Sequence, residues 1–217
     1  MGFDIDLMRA IAEKEGMKVR FKSMQFDGLI PALQTKQIDA TIAGMTITKQ
    51  RMKTVNFSNA YYRAGQSILT MPDSGIKSFG DLKGKLIGTQ RGTSSVSYMK
   101  NHGIPESKIK QYDDISTAYN GLENGGVNAV VYDNPVNLNY IKKHKTKAKI
   151  VGKLLIGEYT GIAVNKENTQ LVKKLNNGLK ELQQNGTYKK LFEKYFDGDK
   201  RGFIEKTLTP EDVATGD

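Results

Sequence analysis

The sequence predicts an α/β fold with mainly parallel sheets flanked by helices. Along the 217 residues, short apolar runs of strand length alternate with segments whose apolar side chains recur at helical spacing. This alternation is typical of strand–helix–strand units, whose strands pair in parallel. Hydroxyl and charged residues directly follow several apolar runs. They are therefore expected at the carboxyl ends of strands, where sheets of this kind bind ligands.

The elements are bounded by recognisable start and stop signals. A first helix is predicted over residues 4–15, with Ile5, Met8 and Ile11 on one face and Gly16 as the residue that ends it. Thr48 and Pro135 suit the starts of two later helices. In order, the other predictions are strands at residues 18–21, 40–45, 66–71, 85–89, 109–112, 129–133, 148–151 and 161–165, and helices at residues 27–34, 49–53, 95–101, 117–123, 136–143, 169–184 and 188–195.

The segment from Ala43 to Arg51 is the first candidate site. An apolar strand is followed by Thr46 and Thr48, and Arg51 falls in the first turn of the next helix. A hydroxyl group, backbone N–H groups and a guanidinium fork at one strand end suit a small carboxylate. The alternative is a capped surface helix with a solvated arginine.

Two further strand ends carry complementary groups. Asp133 ends the apolar run 129–133 and can receive an ammonium group. The run 85–89 leads into Gln90 and a turn containing Thr93 and Ser94, whose backbone N–H groups can bind a carboxylate edge. An arginine, an aspartate and a hydroxyl-rich helix start together indicate a receptor for an α-amino acid.

Composition excludes several other functions. The chain has no cysteine, which removes disulfides, thiolate catalysis and cysteine metal sites. The net charge of +10 comes from 33 basic and 23 acidic residues dispersed along the chain, without a nucleic-acid motif, so a basic surface facing an anionic membrane or cell wall explains it better. His102 and His144 have no partners at metal-ligand spacing and are interpreted as surface residues. We therefore expect no metal, no cofactor, no nucleic-acid partner and no catalysis.

Eight strings along the chain match those of a known family in the same order, at residues 2–7, 26–34, 38–40, 43–51, 55–62, 88–93, 129–135 and 184–188. Through these strings the chain resembles the periplasmic and extracellular amino-acid-binding proteins of ABC importers (extracellular solute-binding proteins of family 3), and especially the glutamine-binding members.

The resemblance implies a two-lobed, periplasmic-binding-protein-like (Venus flytrap) architecture. The first lobe would comprise residues 1–63 and 162–217, and the second residues 64–161. The chain would cross between the lobes near residues 62–65 and 158–161. The amino acid would be captured in the interlobe cleft, and its binding would favour lobe closure, which a membrane permease can detect.

The resemblance also assigns roles within the site. The α-carboxylate would be bound by Arg51 and Thr46, together with N–H groups near Thr93 and Ser94. The α-ammonium group would donate hydrogen bonds to Asp133 and to the carbonyl of Gly44, next to Ala43. Phe26 would form an apolar wall, although an aromatic residue before a helix is also typical of a core. Gln90 would face the ligand side chain, where glutamine-binding members often carry lysine.

One departure from the family concerns the start of the chain. In the family, a first strand and a loop precede the string that here begins at Gly2. We therefore expect the sheet of the first lobe to be one strand short, with an open edge. Pocket residues usually supplied by that segment have no counterpart.

These features predict a protein outside the cell or in the periplasm, held at the membrane by a lipid anchor or a fused permease. The expected ligand is a free polar L-amino acid, glutamine first and arginine or another basic amino acid second. Two alternatives use the same scaffold: a dehydratase-like enzyme, which needs a carboxylate acting as acid or base, and a ligand-sensing receptor domain.

Overall fold

A computed structural model describes residues 2–196 and 199–216. Helices alternate with short strands along the chain. The helices are α1 (Phe3–Lys14), α2 (Leu29–Gln34), α3 (Lys49–Met52), α4 (Ser94–Asn101), α5 (Ile115–Glu123), α6 (Asn134–His144), α7 (Thr169–Gln184), α8 (Thr187–Phe196) and α9 (Pro210–Val213). The strands are β1 (Ala40–Thr41), β2 (Val55–Phe57), β3 (Tyr62–Thr70), β4 (Ile87–Gln90), β5 (Ile109–Tyr112), β6 (Ala129–Asp133), β7 (Lys149–Val151), β8 (Gly157–Thr160) and β9 (Ala163–Asn165).

The chain forms two compact units. The first unit contains the residues up to Met24, then Gly28–Arg63 and Glu158–Gly216. The second unit contains Gln25–Asp27 and Ala64–Gly157. The chain leaves the first unit within β3, after Arg63, and returns to it within β8, after Gly157.

In the first unit, a small sheet is covered by the long helices. Its described strands have the order β1–β9–β2, and β9 pairs antiparallel with both neighbours. Helix α7 places Leu175, Leu179 and Leu182 on one face, at the spacing of successive helical turns. These side chains are buried with Leu7 and Ile11 of α1, so the helices shield one continuous apolar core.

Helices α1 and α7 approach closely at Gly178. A Cβ atom there would lie 2.9 Å from the Cγ2 atom of Ile11 and 3.3 Å from its carbonyl oxygen. We expect Gly178→Val to lower the free energy of unfolding by about 1 kcal/mol or more, because the branched side chain overpacks this contact. Urea denaturation measures the change. Lys180→Val, at an exposed position of the same helix, is the control, and equal stability of the two variants would contradict the packing argument.

In the second unit, the strand order is β5–β4–β6–β3–β7. The expected parallel pairing holds for β4 with β5 and with β6, whereas β3 pairs antiparallel with β6 and β7. The sheet of the second unit is therefore mixed, whereas the described strands of the first unit pair antiparallel. Successive residues Ile68 and Leu69 of β3 are buried in different apolar clusters, which means that both faces of the sheet are covered.

The predicted strand at residues 18–21 is absent. Residues 17–25 form no helix or strand, and Val19 and Phe21 are 37% and 38% exposed. The alternation of apolar and polar residues favours a strand, but a strand persists only when a neighbour pairs with it. None of the sheet strands in the described part of the first unit pairs with this segment.

The strand predicted over residues 40–45 is also shorter than expected. It ends at Thr41, and Gly44 then adopts a φ of +60°, which turns the backbone out of an extended course. Strands β2 and β8 were missed by the sequence analysis. Each has only three or four residues, and β8 consists of a glycine, a glutamate, a tyrosine and a threonine, which form no apolar run.

Candidate functional site

Arg51 is fixed by its local sequence. The hydroxyl oxygen of Thr48 accepts a hydrogen bond from the backbone N–H of Arg51 at 3.1 Å, which confirms the predicted N-cap. Helix α3 is a single turn, so it serves to place the side chain. The guanidinium donates to the carbonyl oxygen of Thr46 at 2.8 Å, and the residue is only 9% exposed. The alternative of a solvated surface arginine is therefore excluded, because the residue is buried.

Thr46 is held by the strand that returns to the first unit. Its hydroxyl group donates to the Oε2 atom of Glu158 at 3.3 Å, and both residues are buried. On either side, backbone N–H groups of Ile47 and Gly161 donate to the carbonyls of Tyr159 and Met45. Glu158 was not among the predicted site residues. Its partner is 112 positions away, and no local motif marks it.

Gly44 is held by two side chains. Its N–H group lies 3.0 Å from the Oδ2 atom of Asp4 and 3.1 Å from the hydroxyl oxygen of Tyr61, and Tyr61 donates to the same Asp4 oxygen at 3.1 Å. Burial raises the pKa of Asp4 to about 6, against the opposing effect of these hydrogen bonds. Burial and the neighbouring Asp4 raise the pKa of Tyr61 well above its usual value, so its hydroxyl stays protonated.

In the second unit, Gln90 ends β4 and its amide group is engaged. The Oε1 atom accepts a hydrogen bond from the hydroxyl of Tyr132 at 2.7 Å, and the Nε2 atom donates to the carbonyl of Asp113 at 3.1 Å. Burial first, and then Asp133 and Asp114, raise the pKa of Tyr132, so it remains a neutral donor. Gln90 therefore has a fixed orientation.

The turn after Gln90 is closed by the hydroxyl of Thr93, which donates to the carbonyl of Gln90 at 2.7 Å. Thr93 precedes helix α4, and it is buried. The hydroxyl oxygen of Ser94 accepts from the Nε2 atom of Gln66 at 3.0 Å. The backbone at this helix start is consequently well ordered, as the sequence pattern of this turn indicates.

Asp133 ends β6, directly before helix α6, and Pro135 occupies the first turn of that helix as predicted. A buried amide supports the position. The Nδ2 atom of Asn137 donates to the carbonyl of Tyr132 at 3.2 Å and to the hydroxyl oxygen of Ser67 at 3.0 Å, while its Oδ1 atom accepts from Tyr119 at 2.7 Å. Asn137 thereby anchors the backbone that carries Asp133.

The structure groups the predicted residues within each unit. Ala43, Gly44, Thr46 and Arg51 follow one another at the end of β1 in the first unit. In the second unit, the predicted residues lie at the ends of β4 and β6: Gln90, Thr93, Ser94 and Asp133. These two neighbouring strands are parallel, so their carboxyl ends share one edge of the sheet. Phe26 is half-buried and begins a short 3-10 turn. The Oδ2 atom of the next residue, Asp27, lies 3.7 Å from the Nε atom of Arg91.

Metal ligands and histidine side chains are the groups that would indicate other chemistry. In the part of the chain that the structure describes, no three His, Cys, Asp or Glu side chains are arranged to hold a metal ion. His102 and His144 are exposed and stack on Tyr98 and Tyr140, with ring centroids 4.0 and 4.7 Å apart. Within residues 2–196 and 199–216, no helix is both long enough and apolar enough to cross a bilayer.

Solved structures with related sequences confirm the predicted periplasmic-binding-protein-like fold. An ancestral arginine-binding protein, solved with arginine and with glutamine, is 49% identical with a TM-score of 0.84, and the match covers 90% of this chain and 88% of that one. The substrate-binding protein of an amino acid ABC transporter is 41% identical with a TM-score of 0.85, and the match covers 91% and 88% of the two chains.

Characterised sequences lead to the same family. The arginine-binding protein 1 of an ABC transporter in Escherichia coli is 36% identical over 200 residues, which cover 90% of this chain and 82% of the relative. The ABC transporter glutamine-binding protein GlnH of Bacillus subtilis is 34% identical over 202 residues, which cover 91% and 73%. Residues 1–198 match the model of the bacterial extracellular solute-binding proteins, family 3. The members of this family are transport proteins and not enzymes. The predicted resemblance is thus confirmed, and the chain belongs to this family of solute-binding proteins.

Proposed function

We propose that this protein captures a free polar L-amino acid outside the cell and delivers it to the membrane permease of an ABC-type importer. The observation that carries the proposal is the buried guanidinium of Arg51, oriented by Thr46 and Thr48 at a strand end. A buried arginine fork is suited to bidentate binding of a carboxylate. The amino acids named for the related proteins support the same class of ligand.

In this proposal both units contribute to one ligand. Arg51 and Thr46 bind the α-carboxylate, together with backbone N–H groups at Thr93 and Ser94. Asp133 and the carbonyl of Gly44 accept the α-ammonium group. Phe26 covers the aliphatic part of the ligand, and Gln90 meets its polar end. Closure of the two lobes around residues 62–65 and 158–161 would then report the bound state to the permease.

For the side chain we propose glutamine first and arginine second. The amide of Gln90 is neutral and is oriented by Tyr132 and Asp113, which suits hydrogen bonding to a neutral amide. Arginine is supported by the relatives that bind it and by the absence of a repelling lysine at position 90. Like charges in a desolvated site cost several kcal/mol, so this one position has a large effect on selectivity.

The test is a thermal-shift panel of the twenty amino acids followed by titration calorimetry. Binding stabilises the folded protein by mass action, so a true ligand raises the melting temperature by an amount that grows with the logarithm of its concentration divided by its Kd. We expect glutamine to give the largest shift and arginine the next. Displacement of glutamine by arginine at equal or lower concentration would reverse the ranking, and a panel without any shift would contradict the function itself.

The site of action follows from the family and from charge. We propose that the protein works in the periplasm or at the outer face of the membrane, attached by a lipid anchor or by fusion to its permease. The net charge of +10 favours retention at an anionic surface.

A further inference from the structure

Asp4, Gly44 and Tyr61 form a closed group, which we refer to as the Asp4 cluster. Asp4 and Tyr61 are not among the proposed ligand contacts, whereas Gly44 supplies one of them through its carbonyl. Each of the three residues is hydrogen-bonded to the other two, at distances of 3.0 to 3.1 Å. Asp4 stands in the first turn of α1, yet its carboxylate binds a backbone N–H group 40 residues away. The carboxylate thereby connects the first helix to the loop that carries the candidate site.

The position of Gly44 gives this contact a consequence for the site. A trans peptide is planar, so the carbonyl of Ala43 must be directed opposite to the N–H group of Gly44 that Asp4 holds. Gly44 also has a φ of +60°, in the left-handed region that favours glycine, so the chain turns here before Met45 and Thr46. Asp4 therefore orients the peptide group between Ala43 and Gly44, which lies directly before the carbonyl proposed to accept the ammonium group.

We infer that Asp4 is a positioning residue for the amino-acid site, and that its ionised carboxylate holds the loop at residues 43–46 in the form that accepts the ligand's ammonium group. This inference rests on the proposed function. The negative charge contributes as well, because it favours a nearby cation whether or not the two are in contact. Protonation of Asp4 should consequently weaken binding.

Asp4 titrates in a pH range at which binding can be measured. Burial raises the pKa of Asp4 to about 6. The carboxylate is ionised above this value and becomes protonated below it, so affinity should fall as the pH decreases through 6. If only the ionised form binds, the loss between pH 7 and pH 5 is about tenfold.

Other charged groups near the cluster have separate partners. On α1, Asp6 binds Lys194 of α8 at 2.9 Å and lies 3.6 Å from Arg9. Tyr61 stays protonated, as its raised pKa requires. The neighbouring site contributes Arg51 and Glu158, the latter bound by Thr46. Since Glu158 is a second buried carboxylate, a variant of Asp4 itself is needed to assign a pH dependence to Asp4.

Calorimetric titration of the full chain with glutamine and with arginine at pH 5, 6, 7 and 8 provides the test. We expect the parent protein to bind about tenfold more weakly at pH 5 than at pH 7. In Asp4→Asn this dependence should disappear, because the amide still accepts a hydrogen bond but does not titrate. Tyr61→Phe should shift the midpoint to higher pH, because it removes a hydrogen bond that lowers the pKa of Asp4. Asp39→Asn, at an exposed carboxylate of the same unit, should behave like the parent.

The outcomes distinguish the two proposals. If the parent binds but its affinity does not change with pH, or if Asp4→Asn keeps the parent's pH dependence, Asp4 is not the positioning group. If the parent binds neither amino acid at any pH, the proposed function fails instead. Thermal unfolding of each variant shows whether it is folded, and Tyr61→Phe gives an independent reading because its aromatic ring still fills the core.

Discussion

Replacing Arg51 with alanine is expected to weaken amino-acid binding by about 2–5 kcal/mol, the usual cost of removing one partner of a buried, hydrogen-bonded charge pair. Arg51 is 9% exposed as a residue, and the hydrogen bond from its guanidinium to the carbonyl of Thr46 fixes the orientation of the side chain before any ligand arrives. Titration calorimetry with glutamine or arginine measures the loss.

Two companion variants sharpen this experiment. Arg51→Lys keeps the charge but lacks the planar fork, so we expect intermediate affinity. Arg20→Ala removes an exposed arginine of the same unit and should bind like the parent. Binding by Arg51→Ala as tight as that of the parent would show that the carboxylate is bound elsewhere. Unfolding curves are needed because Arg51 also contacts the backbone of its own unit.

The local parts of the fold were predictable from the sequence because their causes are local. Thr48 and Pro135 mark helix starts through their own chemistry, and Gly16, with a φ of +61°, follows the first helix as expected. The apolar run of β6 has the predicted bounds at residues 129–133. In each case one residue type satisfies a constraint of the backbone next to it.

Long-range parts of the fold were not predictable in this way. Val19 and Phe21 have the alternation of a strand, but strand formation depends on a partner that the local pattern does not specify. The same limit applies to the site. Arg51 and Asp133 are marked by the strands they follow, whereas Asp4 and Glu158 contact site residues 40 and 112 positions away.

Asp4 connects the site to the stability of the fold. A carboxylate that is partly buried, with a pKa raised from 3.8 to about 6, is more easily protonated in the folded than in the unfolded chain. Its ionisation therefore disfavours folding at neutral pH. Such a cost is typical of residues retained for function, because an uncharged side chain of the same shape would be more stable there.

We expect Asp4→Asn to be more stable than the parent at pH 7, by about 1–3 kcal/mol. The upper value follows from the difference between the pKa of Asp4 in the folded protein, about 6, and its ordinary value of 3.8. The lower value takes into account that water still reaches part of the side chain and reduces the effect. The sign is set by proton binding. Between pH 3.8 and 6 the folded parent binds more protons than its unfolded chain, so its stability falls as the pH rises, and above pH 6 the loss is complete.

Urea denaturation of ligand-free protein at pH 4, 5, 6, 7 and 8 tests this sign, since a bound amino acid would itself stabilise the folded state. The advantage of Asp4→Asn should be small at pH 4, increase up to pH 6 and then stay constant. Asp39→Asn should show no such increase, because that carboxylate is exposed. A stability difference between variant and parent that is the same at every pH would show that the substitution acts through packing. A difference that increases towards low pH would show that the folded chain favours the ionised form of Asp4. The expected result is a stability difference that increases with pH in urea denaturation, together with a ligand affinity of Asp4→Asn that no longer depends on pH in calorimetry. With both results, the same carboxylate destabilises the fold and positions the site.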